Sequence, residues 1–172
     1  MRLFTALCFD EKTKNALFSL SEKSKTFAEG NFTLRENLHL TLVFIGETER
    51  KSEIESALSE IEFPKFSVDF SKTGTFEKGI FWVGTSENKE LENLRKTVFE
   101  KLRNLGFEPE EREFVPHITL ARKFRPTENF PFDEIEKNLP EKPALINRIS
   151  LMKSERINGE LKYTEIFSKE LF

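Results

Sequence analysis

The chain has few of the residues on which metal sites and covalent cross-links depend. Its 172 residues include one cysteine and two histidines. Cys8 alone cannot form an internal disulfide, and a lone thiol in an apolar segment is typical of a buried position. Zinc sites use about four ligands, and the segments around the histidines, 37–44 and 115–122, contain no carboxylate. We therefore expect no bound metal and no cofactor.

Long apolar runs are also absent, since none approaches the roughly 20 residues that cross a bilayer. The apolar start, Met1–Phe9, is followed by Asp10 and Glu11 without a small-residue cleavage site, which argues against a signal peptide. We expect a cytoplasmic monomer that makes no membrane contact. The net charge is −3, so the binding of a polyanion would need a local patch of cations.

Common catalytic motifs are missing as well. There is no Gly-x-Ser-x-Gly elbow, no Walker A loop and no glycine-rich dinucleotide fingerprint. Phenylalanine, by contrast, occurs 19 times. This number predicts a phenylalanine-rich core, with a ring or two to spare for stacking on a base.

Both histidines occur in the same context, an apolar run interrupted by His-x-Thr, 78 residues apart. In a strand, residues i and i+2 share one face. His39 and Thr41 therefore project together, and His117 and Thr119 do the same. The apolar residues between and around them point to the opposite face, into a core. The sequence thus presents an imidazole beside a hydroxyl twice.

Hydrophobic periodicity predicts a chain of mixed helices and strands. Predicted helices are 11–28, 52–61, 86–105 and 133–139, with Asp10 as a cap for the first and the box Ser52-x-x-Glu55 for the second. Predicted strands are 3–9, 32–34, 38–45, 66–70, 80–84, 114–121, 146–152 and 163–171. A turn region is expected between Gly74 and Gly79, a basic loop at 122–126, and a hairpin turn at Asn158-Gly159.

The two halves repeat this pattern. Phe4 precedes His39 by 35 residues, and Trp82 precedes His117 by 35. We interpret the chain as one α+β domain, 1–172, with two pseudo-symmetric lobes from a duplicated β-α-β-α-β unit. The repeats are 1–76 and 79–158, and a C-terminal strand at 161–171 completes the fold. Mainly antiparallel sheets should line a central cleft, with the helices packed outside.

A pair of histidines is suited to acid–base catalysis, because an imidazole with a pKa of about 6.5 exists in both forms near neutrality. On opposite sides of a phosphodiester, one imidazole can deprotonate water while the other protonates the leaving alkoxide. The threonine hydroxyls can donate to the non-bridging oxygens. A strained cyclic phosphate, as at an RNA 2′,3′ end, suits such a metal-free site.

These motifs and their flanks resemble the two-histidine (2H) phosphoesterases, and among them the RNA 2′,3′-cyclic phosphodiesterases, also called 2′-5′ RNA ligases. The resemblance covers nearly the whole chain. Its residues are Arg2–Ala6, Asn37–Gly46, Phe81–Gly84, Phe114–Arg122, Ser154 and Tyr163.

The resemblance implies metal-free hydrolysis of an RNA terminal 2′,3′-cyclic phosphate to a 2′-phosphomonoester, with reverse 2′-5′ ligation as a side activity. By motif position, His39 would be the proton donor to the leaving 3′ oxygen and His117 the base that activates water. Thr41 and Thr119 would hold the phosphate. From symmetry alone, either histidine could be the acid.

Five residues after each histidine, this family often has a further site residue, here Phe44 and Arg122. Phe44 is suited to stacking on a base, and Arg122 to pairing with phosphate. Strict strand alternation would turn both side chains toward the core, unless a bulge or the strand end reverses them. The alternatives are core packing for Phe44 and a solvated cation cluster for the loop that Arg122 begins.

Two other functions remain open. The cleft could bind a nucleotide or an RNA end without chemistry, although intact motifs argue against this. The same chemistry could also act on another cyclic phosphate, such as one derived from ADP-ribose.

Overall fold

The computed structural model describes residues 1–172 as an α+β fold. The helices are α1 (Glu11–Ser24), α2 (Lys51–Ser59), α3 (Lys89–Asn104) and α4 (Phe132–Lys137), and a 3₁₀ helix covers Arg35–Asn37. The strands are β1 (Arg2–Cys8), β2 (Ala28–Phe32), β3 (His39–Glu47), β4 (Phe66–Val68), β5 (Phe70–Phe76), β6 (Ile80–Thr85), β7 (His117–Pro126), β8 (Ala144–Ile146), β9 (Arg148–Ile157) and β10 (Glu160–Glu170). All strand pairs are antiparallel. The predicted fold class is therefore confirmed.

A single bridge joins two half-sheets. The strand order is β10-β9-β1-β3-β7-β6-β5, with β2 also paired to β7, while β4 and β8 form a separate pair. β3 and β7 share only the residue pair Leu40 and Ile118, although each pairs over several residues with its other neighbour. The sheet can therefore open into two halves on either side of this bridge.

The half-sheets do not coincide with the sequence repeats. β5, from the first repeat, pairs with β6, whereas β9, from the second repeat, pairs with β1. Each repeat contributes its last strand to the other half, which corrects the expectation that 1–76 and 79–158 each build one lobe. The exchange is reciprocal, so the order β9-β1-β3 on one side matches β5-β6-β7 on the other.

Each of the two long helices packs on the histidine strand of the other sequence repeat. α3 packs on β3 and on α2, whereas α1 packs on β7 and on α4. One continuous cluster of buried apolar side chains runs through both halves. The α1 helix begins where predicted, because the Asp10 carboxylate accepts a 2.8 Å hydrogen bond from the Thr13 amide. None of the helices is both long and apolar enough to cross a membrane.

Two predicted helix boundaries in the first half are wrong, the end of α1 and the start of α2. α1 ends at Ser24, because residues 28–32 pair with β7 as β2. Gly30 lies inside this strand, where an added Cβ would come within 3.1 Å of the Arg122 carbonyl oxygen. α2 begins at Lys51 without the Ser52 box, and the Arg50 guanidinium bonds Glu53 instead.

The second histidine strand is also longer than predicted. β7 runs from His117 to Pro126, so the expected basic loop is the outer half of a strand. Gly74 lies inside β5, and the turn is confined to residues 77–79. The turn at Asn158 and Gly159 is confirmed, with both residues at positive φ.

Gly74 is required by its neighbour across the strands. A Cβ at this position would lie 2.3 Å from the Trp82 ring. We expect Gly74→Ala to lower the free energy of unfolding by about 1–3 kcal/mol, since overpacking must displace the indole. Urea denaturation measures this. Thr75→Ala, at an exposed position of the same strand, is the matched control, and an equal effect of both changes would contradict the packing argument.

Candidate active site

The two His-x-Thr motifs meet at the bridge between the half-sheets. Leu40 and Ile118 pair directly and are fully buried. In the antiparallel register that this pair sets, His39 lies opposite Thr119, and Thr41 lies opposite His117. All four polar side chains are half-buried on the face away from Leu40 and Ile118. Each imidazole is therefore next to its own threonine and across from the other one.

Backbone carbonyls fix the tautomer of both imidazoles. His39 Nδ1 lies 2.6 Å from the Asn37 carbonyl oxygen, and His117 Nδ1 lies 2.7 Å from that of Val115. A carbonyl oxygen only accepts, so Nδ1 donates in each case and Nε2 carries the lone pair when the ring is neutral. Thr41 Oγ1 donates to His39 Nε2 at 3.0 Å.

Aromatic rings flank both imidazoles. Phe4 and Tyr163 each lie 5.0 Å from His39 between ring centroids. His117 has Phe76 at 4.9 Å and Trp82 at 6.4 Å. These rings pack against the imidazoles and restrict their orientation.

This environment favours the neutral imidazoles. Burial, with smaller contributions from the charges of His117 and Arg122, lowers the pKa of His39 to about 4. Burial also lowers the pKa of His117, with smaller contributions from Arg122 and Arg112. One guanidinium thus acts on both imidazoles. The charge nearest to both imidazoles is positive, which favours the binding of an anion.

Matching bulges turn Phe44 and Arg122 onto the histidine face. Along β3, Thr41 and Val43 face consecutive residues of β1, and along β7, Thr119 and Ala121 face consecutive residues of β6. The extra residues are Leu42 and Leu120. Leu42–Val43 and Leu120–Ala121 are consequently buried as consecutive pairs, and side-chain alternation reverses after them.

Of the alternatives left open by the sequence, the structure therefore shows the bulge and not strict alternation. Phe44 is 45% exposed and packs against Phe4, with 5.7 Å between ring centroids. Arg122 is exposed as well, and no carboxylate lies within ion-pair distance of it. Both side chains are available to a ligand in the cleft, although their binding roles remain predictions.

Sequence reasoning did not identify Asn37 as a site residue. Its side-chain amide donates to the Leu161 carbonyl at 2.8 Å and accepts from the Tyr163 amide at 3.2 Å. It thus pairs with β10 as a neighbouring strand would, and its own carbonyl holds His39. The signal in the sequence is its position two residues before the histidine, where the second motif has Val115.

Carboxylates do not gather around the histidines. No group of three or more His, Cys, Asp or Glu side chains is close enough together to hold a metal ion. Cys8 pairs with His39 across β1 and β3, and burial raises the pKa of its thiol. The thiol is therefore the neutral form at physiological pH.

Two His-x-Thr strands that face each other across a joint between half-sheets define the architecture of the two-histidine phosphoesterases. The chain belongs to the 2′-5′ RNA ligase superfamily, whose family model matches residues 20–158. The family expected from the motifs is therefore confirmed.

Similar proteins extend this finding over most of the chain. An RNA 2′,3′-cyclic phosphodiesterase of Archaeoglobus fulgidus is 39% identical over 132 residues, which cover 71% of this chain and 72% of the relative. One of Methanocaldococcus jannaschii is 33% identical over 142 residues, 80% of each chain. The crystal structure of E. coli LigT complexed with 3′-AMP has a TM-score of 0.80 at 22% identity, covering 99% of this chain and 97% of that chain. The last likeness shows the shared fold.

Because the chain has only two histidines, their titration can be followed directly by proton NMR. We expect the His39 imidazole to titrate near pH 4 and His117 below pH 6.5, since burial disfavours both charged forms. His39→Gln and His117→Gln assign the two signals. A midpoint at or above 6.5 for either imidazole in the unliganded protein would contradict this electrostatic description.

Loss of the Asn37 amide should loosen β10 from the His39 strand. We expect Asn37→Leu to lower the free energy of unfolding by about 1–3 kcal/mol, because two part-buried backbone groups lose their partners. Urea denaturation measures this, and the His39 NMR signal should change at the same time. Val115→Asn, at the equivalent position of the second motif, is the control. Similar stability of Asn37→Leu and wild type would exclude the proposed link.

Proposed function

We propose that this protein hydrolyses RNA terminal 2′,3′-cyclic phosphates to 2′-phosphomonoesters without a metal ion. The observation that carries the proposal is the register of β3 and β7, which puts two imidazoles and two hydroxyls around one point. Relatives at 33–39% identity are named RNA 2′,3′-cyclic phosphodiesterases, which supports this substrate. The reverse reaction, 2′-5′ joining of RNA ends, is a secondary activity of the same site.

His117 acts as the base in this proposal. Its Nε2 takes a proton from a water molecule, and the oxygen of that water forms a bond to phosphorus. The bond between phosphorus and the 3′ oxygen breaks, and protonated His39 gives its Nε2 proton to that oxygen. The product has a 2′-phosphate and a 3′-hydroxyl. The geometry is consistent with this assignment or its reverse, and the direction follows the family resemblance.

The threonines and Arg122 stabilise the phosphate. Thr41 and Thr119 can each donate to a non-bridging oxygen, because each lies on the same face as the histidines and opposite one of them. Arg122, which forms no ion pair with another side chain, supplies a charged donor. Phe44 presents an exposed ring on the other half-sheet for the terminal base.

Binding of the substrate anion explains how one of the two imidazoles can carry a proton. One imidazole must carry a proton, yet burial and Arg122 favour the neutral form of both. A bound phosphodiester places a negative charge beside His39 and raises its pKa. The substrate therefore helps to charge the acid that acts on it. The cytoplasmic location and the monomeric state expected from the sequence remain predictions.

Removal of either histidine should nearly abolish turnover. We expect His39→Ala and His117→Ala each to reduce kcat with a nucleoside 2′,3′-cyclic phosphate by about 10²–10⁴-fold, the usual size of a general acid or base contribution. Phosphorus NMR should identify the product as the 2′-phosphomonoester. Thr5→Ser, at a buried threonine on the opposite face of β1, is a control that should keep full activity.

Two results would contradict the function. Full activity in either histidine variant would remove the acid–base assignment, and loss of wild-type activity in EDTA would contradict metal independence. Tight binding of a nucleoside 2′-monophosphate without any turnover of the cyclic phosphate would favour the nucleotide-binding alternative.

The lowered pKa values predict an acidic optimum for kcat/KM. The active free enzyme has one charged and one neutral imidazole, so kcat/KM should peak above about pH 4 and fall as the pH rises through the lowered pKa of His117. Arg122→Gln removes the positive charge that lowers the pKa of both imidazoles. Both pKa values should therefore rise, and the alkaline limb of the pH–rate profile should move to higher pH. A pH–rate profile of wild type and variant measures this, and identical limbs would contradict the role given to Arg122.

A further inference from the structure

The outer halves of the two histidine strands carry opposite charges. At five and eight residues after the histidine, β3 has Phe44 and Glu47, whereas β7 has Arg122 and Arg125. Lys123 adds a third cation on β7. The two strands are related by the pseudo-symmetry of the half-sheets. The two sides of the cleft therefore differ in charge. The three cations of β7 therefore attract a polyanion to that side of the cleft.

The pairing of β2 with β7 shows that Arg122 and Arg125 share a face. Arg122 lies opposite Asn31, and Arg125 lies opposite Glu29. Asn31 and Glu29 are two residues apart in β2 and so project to the same side. Their partners, three residues apart, can do so only because β7 bulges between them.

This second bulge is centred on Lys123, a non-glycine residue with a φ of 51°. Such a conformation costs on the order of 1 kcal/mol or more and persists where the surroundings require it. Ala121 and Phe124, which directly precede Arg122 and Arg125, are buried in the core. The two bulges of β7 therefore keep His117, Thr119, Arg122 and Arg125 on one face.

We propose that the RNA chain leading to the terminal cyclic phosphate lies along the outer half of β7, with the terminal phosphate on Arg122 and the preceding backbone phosphates on Lys123 and Arg125. This inference rests on the proposed function and extends it from a nucleotide end to an oligonucleotide. The two arginines are separated by two residue positions of β2, about 7 Å along the strand. They can therefore contact successive phosphates.

Glu29 is the counter-ion that the RNA must replace. Its carboxylate lies 3.2 Å from the Arg125 guanidinium, and both side chains are about four-fifths exposed. An exposed ion pair of this kind contributes at most about 1 kcal/mol. A phosphate can therefore take the place of Glu29, and removal of this carboxylate should favour RNA.

The test compares two substrates, a nucleoside 2′,3′-cyclic phosphate and an eight-nucleotide RNA that ends in the same group. The measured quantity is the ratio of kcat/KM for the RNA to that for the nucleotide. We expect wild type to favour the RNA, Arg125→Glu to lower the ratio about tenfold or more, and Glu29→Gln to raise it. Arg125→Ala should also reduce the slope of log KM for RNA against log salt by about 0.7, as expected for one lost contact with a single strand.

The control is Arg103→Glu. Arg103 is also an exposed arginine paired with a glutamate, Glu111 at 2.9 Å, but it lies in the last turn of α3, within the helix layer. This variant makes the same change in net charge and should keep the wild-type ratio. An equal loss in Arg103→Glu and Arg125→Glu would overturn the proposed path.

The remaining outcomes separate this path from the proposed function. Turnover of both substrates with no preference for RNA would overturn the path and leave the function intact. Absence of turnover with either substrate would overturn the function. In that case fluorescence anisotropy measures the binding of a 3′-phosphorylated eight-nucleotide RNA to each variant. Weaker binding by Arg125→Glu alone would support the proposed path. Equal binding by all variants would overturn it.

Discussion

The site depends on the single bridge between Leu40 and Ile118. If β3 and β7 were paired over their full length, a flat sheet would fill the space that the cleft needs. If they were not paired, no register would relate the two motifs. One bridge sets the register and still allows the half-sheets to diverge. The reciprocal exchange of β5 and β9 reinforces it, because each half-sheet then contains strands from both repeats.

The electrostatics of the site follow from this geometry. Both imidazoles are buried among rings and donate through Nδ1 to a backbone carbonyl. Their pKa values are lowered, and the nearest charge that acts on both is positive. The cleft therefore presents cationic and hydrogen-bond donor groups to a ligand. In our proposal a phosphate both binds to these groups and sets the protonation state of the imidazoles.

The sequence predicted the parts of the site that depend on local pattern. His-x-Thr in an apolar run placed His39 with Thr41 and His117 with Thr119, and the repeated spacing predicted two related halves. The side chains of Phe44 and Arg122 could not be oriented in this way, because bulges at Leu42 and Leu120 depend on partners in other strands. β2 was missed for the same reason, since its pairing with a strand 90 residues later overrides local helix preference. Asn37 acts through β10, whose position relative to His39 is not encoded in the spacing of the motif.

The central claim is that both motifs act on one phosphate. Titration of the protein with a nucleoside 2′-monophosphate, followed through the two imidazole NMR signals, tests it most directly. A single shared site predicts that both signals shift with one dissociation constant and a stoichiometry of one, and that both pKa values rise on binding. A response from only one histidine, or two different dissociation constants, would contradict the claim.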